Sequence, residues 1–137
     1  MTDRDLLEKR LAWIVTSVEM LRVHARPEEI ASDPVQRGFV EHQLQTAIQA
    51  AIDVASIIVS ERRLGEPHTS AGLFDLLAEH AWLSVEQATT LRRIVAFRNI
   101  VVHRYLDVDP DILRGILTDH LDDLLTFVRV VRDHMDD

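Results

Sequence analysis

Apolar residues in this chain recur every three or four positions over long stretches, the period of helices that bury one face. Leu7, Leu11, Ile14, Val15, Val18 and Leu21 keep that spacing and predict a first helix from about Asp5 to His24. Thr2 and Asp5 fit a capping box at its start, and Pro27 ends it. Asp33-Pro34 reads as an N-cap followed by proline at the first helical position. From there Phe39, Val40, Leu44, Ala47, Ile48, Ala51, Ile52, Val54, Ala55 and Ile58 carry a second helix to about Arg63, closed by Leu64-Gly65. Its second half is apolar nearly all round, as the central helix of a bundle must be. A loop over residues 66–70 precedes a short third helix from about Leu73 to Trp82. Ser84, with Gln87 three residues on, starts a fourth helix reaching about Tyr105. Asp109-Pro110 repeats the cap-plus-proline start, and a fifth helix runs to about Met135. Short links between long helices imply antiparallel neighbours. The expected fold is all-α, an antiparallel bundle of four to five helices forming a single domain over residues 1–137.

Composition narrows this picture without changing it. A chain of 137 residues with 47% hydrophobic content is long enough for one modest core. Four Gly and four Pro leave little material for the tight turns of an all-β fold. No apolar run approaches the roughly 18–20 residues that span a bilayer, and the polar Met-Thr-Asp-Arg-Asp start is unlike a signal peptide. The absence of Cys excludes disulfides and thiolate metal sites. A cytoplasmic protein is expected. A net charge of −8 argues against avid, non-specific nucleic-acid binding, but its distribution is uneven. Residues 85–106 hold Arg92, Arg93, Arg98 and Arg104 against Glu86 alone, a local charge of +3. Residues 107–137 hold nine Asp against three Arg, a local charge of −6. One basic island therefore sits in an acidic surround.

The fourth helix breaks its own pattern. At 100° per residue, Leu91, Val95, Arg98, Val102 and Tyr105 fall within about 60° of one another, flanked by Ile94 and Val101. Arg98 occupies the middle of that stripe, where an unpartnered buried guanidinium would cost several kcal/mol. Asn99 and His103 form an i, i+4 pair on the adjoining edge. A structural ion pair between Arg98 and Asp53 of the second helix is the plain explanation. Four polar groups gathered on one face point instead to a functional site.

The string Phe97-Arg98-Asn99-Ile100-Val101-Val102-His103-Arg104-Tyr105 resembles the Arg-x4-His-x-Tyr motif of HEPN-domain proteins, and among them the HepT-type toxins of toxin–antitoxin pairs. Residues 41–55 are similar to the family's long second helix, and Pro67 through Leu77 to its loop and short third helix. The likeness covers roughly residues 33–130, and His42 departs from the Arg expected in many relatives. The resemblance implies an HEPN-type bundle that dimerises through the fourth helix. It also implies metal-independent endoribonuclease activity, with the ribose 2′-hydroxyl as internal nucleophile. Such chemistry needs a proton-transfer group near neutrality, a role for His103, and a cation on the phosphate, a role for Arg98. Asn99 is placed to orient His103 or to donate to the phosphate, while Arg93 and Arg104 extend the basic surface toward substrate. Arg98 and His103 diverge by about 140° on one helix, which favours a site shared by two copies. The implied antitoxin is a minimal nucleotidyltransferase of the MntA kind that adenylylates Tyr105, placing phosphate in the basic cleft.

Other clusters carry less. None of the seven His has an acidic residue three positions before it, so the di-iron Glu-x-x-His pattern is absent. Asp119-His120 with Asp122-Asp123, and Asp133-His134 with Asp136-Asp137, scatter around a helix, and no metal or cofactor is expected. Trp13 and Trp82 are expected in the core or at an interface. Two readings compete with the ribonuclease. One is a non-catalytic helical module using the polar cleft for a nucleotide or partner protein. The other is a structural dimer in which Arg98 and His103 satisfy each other.

Overall fold

The computed structural model describes residues 3–104 and 108–135, with residues 101–104 as helical backbone alone. The described residues form α1 (Asp3–His24), α2 (Pro34–Glu61), α3 (Ser70–Glu79), α4 (Val85–Arg104), α5 (Pro110–Asp119) and α6 (Leu121–Met135), with a 3-10 turn at Pro27–Glu29. They contain no strand. None of these helices is long and apolar enough to cross a membrane.

Local chemistry sets the helix starts. The Asp33 carboxylate accepts from the Val35 and Gln36 amides at 2.9 and 3.4 Å, with Pro34 supplying the first helical φ. Ser84 and Gln87 close the expected capping box, at 3.0 Å from the Gln87 amide to Ser84 Oγ and 2.8 Å from the Ser84 amide to Gln87 Oε1. Asp109 caps α5 through the Asp111 amide at 2.8 Å. Thr69 caps α3 through the Gly72 amide, so this helix begins at Ser70, before the expected Leu73. The capping box expected from Thr2 lies outside the described residues.

Helix ends depart further from expectation. α2 stops at Glu61 because Arg63 turns left-handed (φ 53°) and the Leu64 amide reaches back to the Val59 carbonyl at 3.0 Å. α3 stops at Glu79, short of Trp82, by the same device. Ala81 is left-handed (φ 64°), and the Trp82 amide donates to the Leu77 carbonyl at 2.8 Å. The expected fifth helix is two, broken at His120 (φ −122°, ψ −3°), whose Nδ1 lies 2.9 Å from Asp123 Oδ2. Gly115, Asp119 and His120 are weak helix formers, so this stretch yields first.

α1 and α2 run antiparallel. Arg10 meets Asp53 at one end, while the His24 ring packs edge-on to Phe39, 6.3 Å away, at the other. α2 touches α1, α3, α4, α5 and α6, the central position its apolar circumference predicts. The core interleaves Leu11, Ile14 and Leu21 of α1 with Leu44 and Ile48 of α2, and Phe74 of α3 with Phe127 of α6, ring centroids 5.8 Å apart. Trp82 is buried, stacked on His134 at 3.8 Å, whereas Trp13 remains 38% exposed and is no core residue.

Candidate functional site on the fourth helix

The capping box launches α4, and Ala88, Leu91, Ile94, Val95 and Phe97 bury its inner face. Arg92, Arg93, Ala96, Asn99 and Ile100 are exposed on the other side. Leu91 and Val95 of the expected stripe are buried as read, and Arg98 follows them half-buried at the margin with α2.

Arg98 has no carboxylate partner among the described residues. Its Nη2 donates to Gln49 Oε1 at 2.5 Å and its Nη1 to Asn99 Oδ1 at 3.2 Å. Its Nε is buried and unpaired. The expected contact with Asp53 is interrupted by one amide. Gln49 Nε2 donates to Asp53 Oδ1 at 2.9 Å, and Asp53 Oδ2 pairs with Arg10 Nε at 3.3 Å. Two neutral oxygens orient the guanidinium and leave its charge uncompensated. A planar cation in that state is suited to a phosphate or carboxylate.

The structure thus brings Arg98 and Asn99 together and adds Gln49, which lies on the long second helix and was not expected at the site. The signal was available: Gln49 and Asp53 are an i, i+4 polar pair in the most apolar stretch of α2. Arg93 stands apart from Arg98, lining an open groove between α4 and α5 with Phe97, Ile112 and Ile116. α4 runs through His103 and ends at Arg104. The side chains of His103 and Arg104, and Tyr105 as a whole, lie outside the described residues. His42, the departure from the motif family, is exposed.

A second cluster fixes the chain just beyond the motif. Arg37 donates to the carbonyl of buried Val108, and its Nε lies 3.3 Å from Glu41 Oε1. Burial pushes the Glu41 carboxyl above its ordinary value, while the hydrogen bond and charge of Arg37 pull it down. This clamp was not foreseen, although Arg37 and Glu41 are again an i, i+4 pair.

A family model described as Ribonuclease HepT-like matches residues 13–131, extending into α1 beyond the likeness read from the motifs. The mRNA nuclease HepT of Shewanella oneidensis is 28% identical over 129 residues, 93% of this chain and 97% of that one. The tRNA nuclease HepT of Aphanizomenon flos-aquae is 27% identical over 135 residues, 95% of this chain and 90% of that one. Among solved structures, the tri-AMPylated Shewanella oneidensis HEPN toxin in complex with MNT antitoxin has a TM-score of 0.87 at 28% identity, covering 97% of this chain and 99% of that one. YutE of Bacillus subtilis, a cytosolic protein of unknown function, shares the fold at 16% identity with a TM-score of 0.89, covering 98% and 92%.

Proposed function

The chain belongs to the HepT-like ribonuclease family, and on that premise we propose that it is a toxin-type endoribonuclease acting through Arg98, Asn99 and His103. The observation that carries the reading is Arg98, a half-buried cation oriented by two amide oxygens and paired with no described carboxylate. Such a group binds an anion at little reorganisation cost, which is what a phosphodiester in the transition state requires.

In this reading Arg98 holds the non-bridging oxygens of the scissile phosphate. His103 takes the proton of the adjacent 2′-hydroxyl as the oxygen attacks phosphorus. The phosphorus–O5′ bond breaks, the leaving oxygen is protonated, and the products are a 2′,3′-cyclic phosphate and a 5′-hydroxyl. No metal enters. Asn99 braces Arg98, and Arg93 and Arg104 contact RNA further along the chain. The protein works as a homodimer through α4. The exposed Ala96, Asn99 and Ile100 face supports that arrangement, as does the divergence of positions 98 and 103 around the helix. Its partner is a nucleotidyltransferase antitoxin of the MntA kind that adenylylates Tyr105, and both act in the cytoplasm. The Shewanella toxin, AMPylated and bound to an MNT antitoxin, supports this pairing.

The purified protein should cleave RNA in the presence of EDTA and fail on a 2′-deoxy substrate. His103→Ala should abolish cleavage while leaving the far-UV spectrum and the thermal midpoint unchanged. Full activity in His103→Ala would sink the assignment.

A further inference from the structure

We propose that Gln49 is the positioning residue of Arg98, a neutral amide that aims the guanidinium without neutralising it. This rests on the reading of Arg98 as the phosphate-binding cation. A glutamine amide offers one carbonyl oxygen and one NH₂, and here both are committed. Nε2 donates to Asp53 Oδ1 at 2.9 Å, and Oε1 accepts from Arg98 Nη2 at 2.5 Å. Turning the amide over would set N–H against N–H at Arg98 and oxygen against carboxylate at Asp53. The amide therefore has one stable orientation, and Asp53 dictates it. Asp53 is held in turn by Arg10 at 3.3 Å. The route Arg10–Asp53–Gln49–Arg98 crosses from α1 through α2 to α4 and ends on the candidate phosphate ligand.

The order of groups matters chemically. A carboxylate at position 49 would pair with Arg98 and quench the charge that substrate needs. With Gln49 interposed, the negative charge of Asp53 is spent on Arg10, one amide away. The outer pair is half-exposed, at 45% for the Arg10 side chain and 36% for Asp53, where ion pairs contribute little to stability. A relay of low stabilising value that fixes one orientation at a candidate catalytic cation has the character of a positioning device.

The test is a set of full-length variants assayed for RNA cleavage with kcat and KM separated, for thermal midpoint, and for the ¹⁵N guanidinium spectrum of Arg98. Gln49→Leu should lower kcat by roughly ten- to a hundredfold, the scale of a misplaced catalytic group. Gln49→Glu should raise KM at least about tenfold, and combining it with Asp53→Asn, which removes the carboxylate that would face the new one, should leave the thermal midpoint no lower than that of the wild type, the opposite of what loss of packing would do. Asp53→Leu should reproduce the Gln49→Leu defect, and the double variant should add nothing, since both act by one route. Asp53→Asn, which keeps an acceptor for Nε2, should recover most of the loss. Slowed rotation of the Arg98 Nη groups in the wild type, released in Gln49→Leu, reads the positioning whether or not RNA is cut. Wild-type kcat and KM in both Gln49 variants, or unchanged Arg98 signals, would overturn the proposal. A wild type that cleaves no RNA would instead remove the ribonuclease reading, and the Arg98 signals would still decide for or against positioning.

Discussion

Replacing Arg37 with alanine tests how the chain is anchored immediately after the motif. Arg37 serves two groups on buried residues, the carbonyl of Val108 and the carboxylate of Glu41, whose side chain is 11% exposed. Stranding the carbonyl costs about 1–2 kcal/mol, and stranding the carboxylate, whose rim still meets solvent, about 1–2 kcal/mol more. At pH 7.5 the variant should lose about 2–4 kcal/mol, or roughly 6–15 °C in thermal midpoint for a chain of this size. The pH dependence carries the sharper test. Burial raises the folded value of Glu41 above 4.5, so the native state holds that proton more tightly than the unfolded chain does. The carboxylate's penalty is therefore present above the folded value and vanishes as pH falls through it toward 4.5. Arg37 opposes the rise, so removing it pushes the folded value higher and widens the window. The wild-type minus variant difference should shrink by about half at pH 4.0, leaving the carbonyl contribution. Differential scanning calorimetry of both proteins at pH 4.0 and 7.5 measures it directly. A cost equal at both pH values, or no recovery on adding Glu41→Gln to Arg37→Ala, would refute the reasoning. RNA cleavage should fall with the clamp, since it fixes the backbone three residues past Tyr105.

Two glycines should respond in opposite directions. Gly115 lies within α5 with nothing within 4 Å of an added Cβ, so Gly115→Ala should stabilise by about 0.5–1 kcal/mol in chemical denaturation. Gly65 has φ +136°, and an added Cβ would sit 3.0 Å from Leu76 Cδ2, so Gly65→Ala should destabilise by about 1–3 kcal/mol. Co-expression with an MNT-type nucleotidyltransferase should raise the intact mass in units of AMP if the proposed pairing holds, and Tyr105→Phe should abolish the shift. An undiminished shift in that variant would move the modification to another residue.

What the sequence made legible follows from how local each determinant is. The starts of α2, α4 and α5 were readable because an N-cap spends its hydrogen bonds within three residues: Asp33 on Val35, Ser84 on Gln87, Asp109 on Asp111. The ends were less readable because Arg63 and Ala81 adopt the left-handed cap conformation without the glycine that usually marks it. The break at His120 was hidden for a different reason. Leu113, Leu117, Leu121 and Leu124 keep spacings of four, four and three across it, so the hydrophobic period passes through a helix end without a slip.

The reading of Arg98 shows where helix-face arithmetic stops. Periodicity identified a cation on an apolar stripe, and the structural alternative to a functional site was an ion pair with Asp53 of α2. α2 was right and the partner was one turn away, because Gln49 and Asp53 share a face and only packing decides which reaches α4. That single turn changes the chemistry. Paired with Asp53, Arg98 would be a structural cross-link with its charge satisfied. Held by Gln49 and Asn99, it keeps a full positive charge and a buried, unpaired Nε. A half-buried guanidinium without a counter-charge is a cost to the fold, which hydration or an incoming anion offsets. A carboxylate at position 49 with its facing carboxylate removed, Gln49→Glu with Asp53→Asn, should therefore stabilise the fold and disable the site, and the sign of that trade separates a functional cation from a structural one.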